Sequence, residues 1–170
     1  MNRFDAVQLM IRVVLGVVII AHGYNHIWGG GRIQGTARWF EGIGIKPGIV
    51  NAWASALTEL GAGGGLILGL FTSLDCAGIV AVMVVAGITN HWQHGFFIFR
   101  EGYEYVMVLA FVALSIAVLG PGKYSLDRAL KIDDNLDGTT GGLITLLVGV
   151  GGALALLAVC WRPVKKDTAQ

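Results

Sequence analysis

Five apolar runs, separated by short polar or glycine-rich gaps, set the pattern of the chain. The first extends from Ala6 to Ile27, the second from Ile49 to Phe71, and the third from Leu74 to Trp92. The fourth covers Tyr103 to Leu119 and the fifth Gly142 to Trp161. A helix rising ~1.5 Å per residue needs roughly 20 apolar residues to cross a hydrocarbon core of ~30 Å. The predicted fold class is therefore all-α: a polytopic integral membrane helix bundle with five transmembrane helices.

The gaps carry the punctuation. Gly29-Gly30-Gly31 closes the first helix. Thr36 to Gly42 mixes aromatic and charged residues at short spacing, which predicts a short helix lying in the bilayer interface. Lys46-Pro47-Gly48 turns the chain back, Thr72-Ser73 forms a tight turn, and Gly120-Pro121-Gly122 stops the fourth helix. Residues 120–141 hold Lys123, Arg128 and Lys131 against Asp127, Asp133, Asp134 and Asp137. They read as a plain solvated surface connection, with room for one short amphipathic helix over Ser125 to Lys131. Arg12, early in the first helix, is expected to snorkel to the adjacent interface. The tail Arg162 to Gln170 is polar.

Composition agrees with this pattern. Of 170 residues, 55% are apolar and only 14% charged, with mean hydropathy +0.68; a soluble domain carries about 25% charged residues. A net charge of +1 gives no basic patch for nucleic acid. Cys76 and Cys160 are far apart and form no Cys-x-x-Cys motif, so both read as packing residues. Asp5 and Arg12 interrupt the first run, and no small-residue cleavage site follows, so it reads as a retained helix.

An odd number of spans places the two termini on opposite sides. All four histidines, His22, His26, His91 and His94, then fall toward the side away from the N-terminus, here the far side. Glu104 opens the fourth helix there. Glu59 lies ten residues into the second helix, roughly 15 Å deep. Lysines and arginines in short loops and tails are more numerous on the far side, including Lys165 and Lys166, which the positive-inside rule assigns to the cytoplasm.

An ionisable residue inside a bilayer is costly unless paired, protonated, hydrated or bound to a metal. His22 and His26 stand one helical turn apart on one face. Three explanations follow. His22, His26, Glu59, His91, His94 and Glu104 could form a transition-metal site of the kind built between bundle helices. The same residues could line a quinone or small redox-ligand pocket, with Glu59 handling a proton. Or they could act structurally, with protonated Glu59 bonded to His22 or Tyr24. Gly61, Gly65 and Gly69, at four-residue spacing in the second helix, are the candidate helix-packing residues. The fifth helix carries small residues at Gly141, Thr145, Gly149 and Ala153.

Several short motifs occur in a recognisable order: His22-Gly23, Gly35-Thr36-Ala37 before Trp39-Phe40-Glu41, and Thr58-Glu59-Leu60-Gly61. Gly95-Phe96-Phe97, Gly102-Tyr103-Glu104-Tyr105 and Gly120-Pro121-Gly122-Lys123-Tyr124-Ser125-Leu126-Asp127 follow. Over about residues 7–128 the chain resembles the DoxX family, small bacterial membrane proteins with a four-helix core. Two departures stand out. His26 occupies the place of the lysine in that family's usual His-Gly-x-x-Lys motif, and the fifth helix lies outside the four-helix core, as in a five-helix branch.

The resemblance implies a bacterial plasma-membrane location, loose ties to thiosulfate or quinol oxidation, and association with oxidant-defence enzymes. It also implies a division into a core over 1–128, a polar loop over 129–141, an additional helix over 142–161 and a tail over 162–170. The expected function is an accessory subunit of a membrane redox system with a quinone or metal site, without catalytic activity alone. The alternatives are a cofactor-free scaffold that recruits membrane or peripheral proteins and, last, a proton or lipid carrier titrating at Glu59.

Overall fold

The computed structural model describes residues 3–133 and 137–164. Asp134 of the polar stretch and the tail from Lys165 onward lie outside the described residues. Helix α1 spans Arg3–Trp28, α2 Arg32–Gly42, α3 Gly48–Leu68 and α4 Thr72–Ala86. A π-turn at Gly87–His91 and a 3-10 turn at Trp92–His94 continue α4. Helix α5 spans Glu104–Leu119, α6 Leu126–Leu130 and α7 Gly138–Cys160. Among the described residues, the only extended pairing is an isolated bridge between Ile45 and Trp161.

Helices α1, α3, α4 and α5 form a closed ring in which each packs on the next and α5 returns to α1. Leu15, Ile19, Leu66, Cys76, Ile79 and Ala113 fill its interior. Helix α7 packs outside the ring, on α4 and α5, and α2 lies against α1 and α3 at the far end. Among the described residues, three helices are long and apolar enough to cross a membrane: Arg3–Trp28, Thr72–His94 and Gly138–Cys160. The other two predicted spans fall short of that measure. Helix α5 has only 16 residues, and α3 carries Asn51, Glu59 and a glycine run.

Absent side chains fix the crossing of α1 on α3. A Cβ on Gly16 would stand 2.6 Å from the Gly63 carbonyl oxygen, and one on Gly63 would stand 2.7 Å from that of Gly16. About two turns further on, a Cβ on Gly23 would meet Ala56 and Glu59 at 3.0 Å. The glycines at 61, 65 and 69 meet three different environments. Gly61 faces open space, Gly65 lies against the Asp75 carboxylate, and Gly69 ends α3 against the Arg12 guanidinium. Gly69 has φ 65°, a left-handed conformation that a side chain would strain. On α7 the small residues Gly141, Thr145, Gly149 and Ala153 are all buried. The Thr145 hydroxyl donates to the Ser73 carbonyl at 3.0 Å.

The near end departs from two expectations. Arg12 does not snorkel: it is fully buried, and its Nη2 donates to the Tyr124 carbonyl at 2.5 Å. Residues 120–141 are not a plain surface connection either, because Asp127 and Asp133 are buried. The Asp127 carboxylate accepts the Phe71 N–H at 2.6 Å, the Thr72 N–H at 2.9 Å and the Thr72 hydroxyl at 2.7 Å. Its own N–H donates to the Gly69 carbonyl at 2.8 Å. These bonds satisfy amides at the first turn of α4, which otherwise lack partners. They also hold Phe71 at φ 51°, an uncommon conformation for a non-glycine residue. A capped turn, with Ser125 Oγ accepting the Arg128 N–H at 3.2 Å, presents Asp127 to this site.

Two tests follow from these contacts. Gly63→Ala should destabilise the protein in detergent by about 1–3 kcal/mol through overpacking, whereas Gly61→Ala should leave the melting temperature unchanged or slightly raised. Asp127→Ala should lower stability by about 3 kcal/mol or more, because it strips three donors of a charged acceptor. Thermal melting with a fluorescent dye measures both.

Candidate functional site

Under the roof formed by α2, a cavity of ≈ 320 Å³ opens among α1, α3, α4, α5 and α7. His22 and His26 come from the last turns of α1, Glu59 from α3, and His91 from the π-turn after α4. Tyr105, Val106 and Leu109 of α5, Met83 and Val85 of α4, and Trp39 and Phe40 of α2 supply much of the remaining wall. The lining is predominantly apolar, with a few polar groups among it, the usual make-up of a small-molecule site.

The short distance between α1 and α3 determines the pairing at its centre. His26 Nε2 stands 3.4 Å from Glu59 Oε1, which also accepts the Ser55 hydroxyl at 3.0 Å. Glu59 is only 3% exposed. Its second oxygen, Oε2, is buried and has no hydrogen-bond partner among the described residues. An acceptor left bare in an apolar wall costs about 1–3 kcal/mol. A bound group able to donate to it would recover that cost. The His26 ring meets the edge of Phe40, with centroids 6.1 Å apart, which joins the α2 roof to the pair.

His91 owes its position to the π-turn, a local widening of the helix that often occurs at functional sites. Its Nδ1 lies 2.6 Å from the Glu101 carbonyl oxygen. A carbonyl only accepts, so Nδ1 carries the proton, and in the neutral ring Nε2 is left as an acceptor. Thr89, on the same turn, lines the cavity and donates its hydroxyl to the Val85 carbonyl at 2.8 Å. His22 is exposed at one edge of the cavity, with its ring centroid 6.0 Å from that of Tyr105.

The six polar residues singled out in the sequence therefore divide. His22, His26, Glu59 and His91 line one cavity, while His94 and Glu104 do not. Glu104 Oε2 accepts the Ile98 N–H at 3.0 Å and orders the loop after the 3-10 turn. Among the described residues, no group of three or more His, Cys, Asp or Glu side chains is placed to hold a metal ion. The geometry thus offers no ligand set for the metal reading. Sequence reasoning left out the walls supplied by Met83, Thr89, Val106 and α7. Apolar residues at helical spacing look the same whether they face a cavity or a packed core.

The sequence profile of the DoxX family matches residues 7–92, from the second turn of α1 through Trp92. The inner membrane protein YqjF of Escherichia coli (strain K12) is 26% identical over 132 residues, 75% of this chain and 94% of the relative. No solved structure matches. The family match contains every polar residue of the cavity except Tyr105, and α5 and α7 lie beyond it.

The hydrogen bond to Glu101 makes a spectroscopic prediction. In ¹⁵N NMR at neutral pH, His91 should show a protonated Nδ1. A ring protonated only at Nε2 would contradict the arrangement.

Proposed function

The chain belongs to the DoxX family, and from the pocket it builds on that fold we propose a membrane subunit of a bacterial redox system that binds a quinone-type ring. The observation that carries this reading is the apolar cavity with the unpartnered Glu59 Oε2 in its wall, an acceptor that a hydroxyl of the ring's reduced, quinol form would satisfy. A quinone, when bound, supplies two-electron chemistry coupled to proton uptake and release. Trp39, Phe40, Met83 and Leu109 would flank the ring, and His22, His91 and Tyr105 would meet its polar edge. The Glu59–His26 pair holds a proton at Glu59 Oε1 or His26 Nε2, a pairing suited to proton exchange with a ligand. The subunit is accessory: electrons reach or leave the ring through a partner protein.

We further read the bundle as crossing the bacterial plasma membrane five times. Helices α1, α4 and α7 all begin at the near end, where Thr145 reaches Ser73 and Gln8 Nε2 donates to the Leu119 carbonyl at 2.9 Å. Three crossings in one direction need two returns, and α3 and α5 supply them. The polar groups of α3 face the cavity and α1, which fits a spanning helix whose polar side is shielded from lipid.

Purification from bacterial membranes in mild detergent, organic extraction and mass spectrometry should recover stoichiometric quinone. A short-chain quinone should quench the fluorescence of Trp39 saturably. Glu59→Gln should weaken binding of the corresponding quinol, read by competition with the quenching quinone, by about ten- to hundredfold, the loss expected for a hydrogen bond to a charged group. A folded protein that retains no quinone and shows no saturable quenching would overturn the reading in favour of a cofactor-free scaffold.

A further inference from the structure

The cavity has two exposed edges. His22 and Tyr105 mark one, and Ala54 of α3 and Gly152 of α7 mark the other. The second edge is bounded by α3, which packs on α1, α2 and α4, and by α7, which packs on α4 and α5. These two helices stand on either side of α4 without close packing between them among the described residues. The floor between them is Ala81, Val82 and Val85 of α4. The rims are small at this level, with Ala54, Ser55 and Thr58 on one side and Gly152 and Ala153 on the other, and Leu156 lines the α7 side one turn nearer the far end.

Depth places this edge in the hydrocarbon. Ala54 lies six residues inside the far end of α3 and Gly152 eight residues before the end of α7. These offsets correspond to about 9 Å and 12 Å below the far ends of the two helices. The neighbouring outward side chains Val50, Leu57 and Leu154 are exposed and apolar, as lipid-facing residues are. At the far end of this edge the gap is closed. The Lys46 N–H donates to the Cys160 carbonyl and the Arg162 N–H to the Gly44 carbonyl, both at 2.8 Å, and Trp161 Nε1 donates to the Ile43 carbonyl at 3.0 Å. The edge therefore opens sideways to lipid.

We propose that the gap between α3 and α7 is a lateral portal, through which a ring-bearing amphiphile enters from the bilayer and leaves its aliphatic tail in the lipid. This rests on the ring-binding reading of the cavity and adds the class of ligand and its route. A cavity of ≈ 320 Å³ lies at the small end of the ~300–1,000 Å³ range of small-molecule sites. It suits a substituted ring, and a long tail needs an exit. Because the tail stays in lipid on leaving, its length adds little to affinity, and the portal acts by permitting the tail.

The test uses two probes with one headgroup: 2,3-dimethoxy-5-methyl-benzoquinone without a tail, and its decyl derivative. Binding is followed by Trp39 quenching in nanodiscs. Wild type should take both. The double variant Ala54→Phe/Gly152→Phe should weaken the decyl form about tenfold or more, the effect of forcing extra methylenes into a filled site, and should keep the tail-less form. A Cβ on Gly152 meets open space, so that substitution is compatible with the fold. Gly61→Phe, which also points into open space, should change neither affinity. Undiminished decyl binding in the double variant would overturn the portal alone, as would rejection of the decyl form by wild type. A wild type that binds neither probe would overturn the ring-binding reading beneath it.

Discussion

The approach of α1 to α3 through Gly16 and Gly63 is the constraint on which the rest of the structure depends. With backbone touching backbone at that point, the helices remain close for about two more turns, and Gly23 lies against Ala56 and Glu59. His26 is thereby carried to Glu59. In lipid, apolar surface supplies little drive for helix association, so contact of this kind, together with hydrogen bonds, must provide it. A larger residue at the crossing would separate the helices and dissolve the histidine–glutamate pair with them.

Asp127 at the near end and Glu59 at the far end are buried carboxylates in different situations. At the near end, Asp127 is matched by three donors, and the turn between α3 and α4 is locked around it. At the far end, Glu59 has one oxygen occupied and one left bare beside a cavity. Asp127 organises the turn around it, whereas Glu59 keeps a free acceptor in the cavity wall.

Much of this was legible in the sequence. The helices, including the short one before Lys46, and the shared side of the histidines follow from apolar run length and spacing. So do the small residues of α7, which do face the bundle. The glycines of α3 were harder. Regular spacing at 61, 65 and 69 drew attention, whereas the close crossing is made by Gly63, which belongs to no regular pattern. Asp127 and Arg12 sit in a charged loop and a helix start, and such local surroundings carry no trace of partners 55 and 112 residues away. The site was half legible for the same reason. Charged residues in apolar runs announce themselves, but the hydrophobic walls around them do not, and only the fold separates His91 from His94.

The stitch between the end of α7 and the loop at Gly44–Lys46 has a consequence for biosynthesis. Every polar wall of the cavity has been translated by the time Tyr105 emerges from the ribosome. The wall at Gly152 and Ala153, and the backbone bonds that tie Cys160 and Arg162 to the loop, come last. Until α7 is inserted, that side of the nascent bundle lacks its wall. Maturation of the pocket is therefore a post-insertion event, and a chain arrested before α7 would carry the site's chemistry without its enclosure.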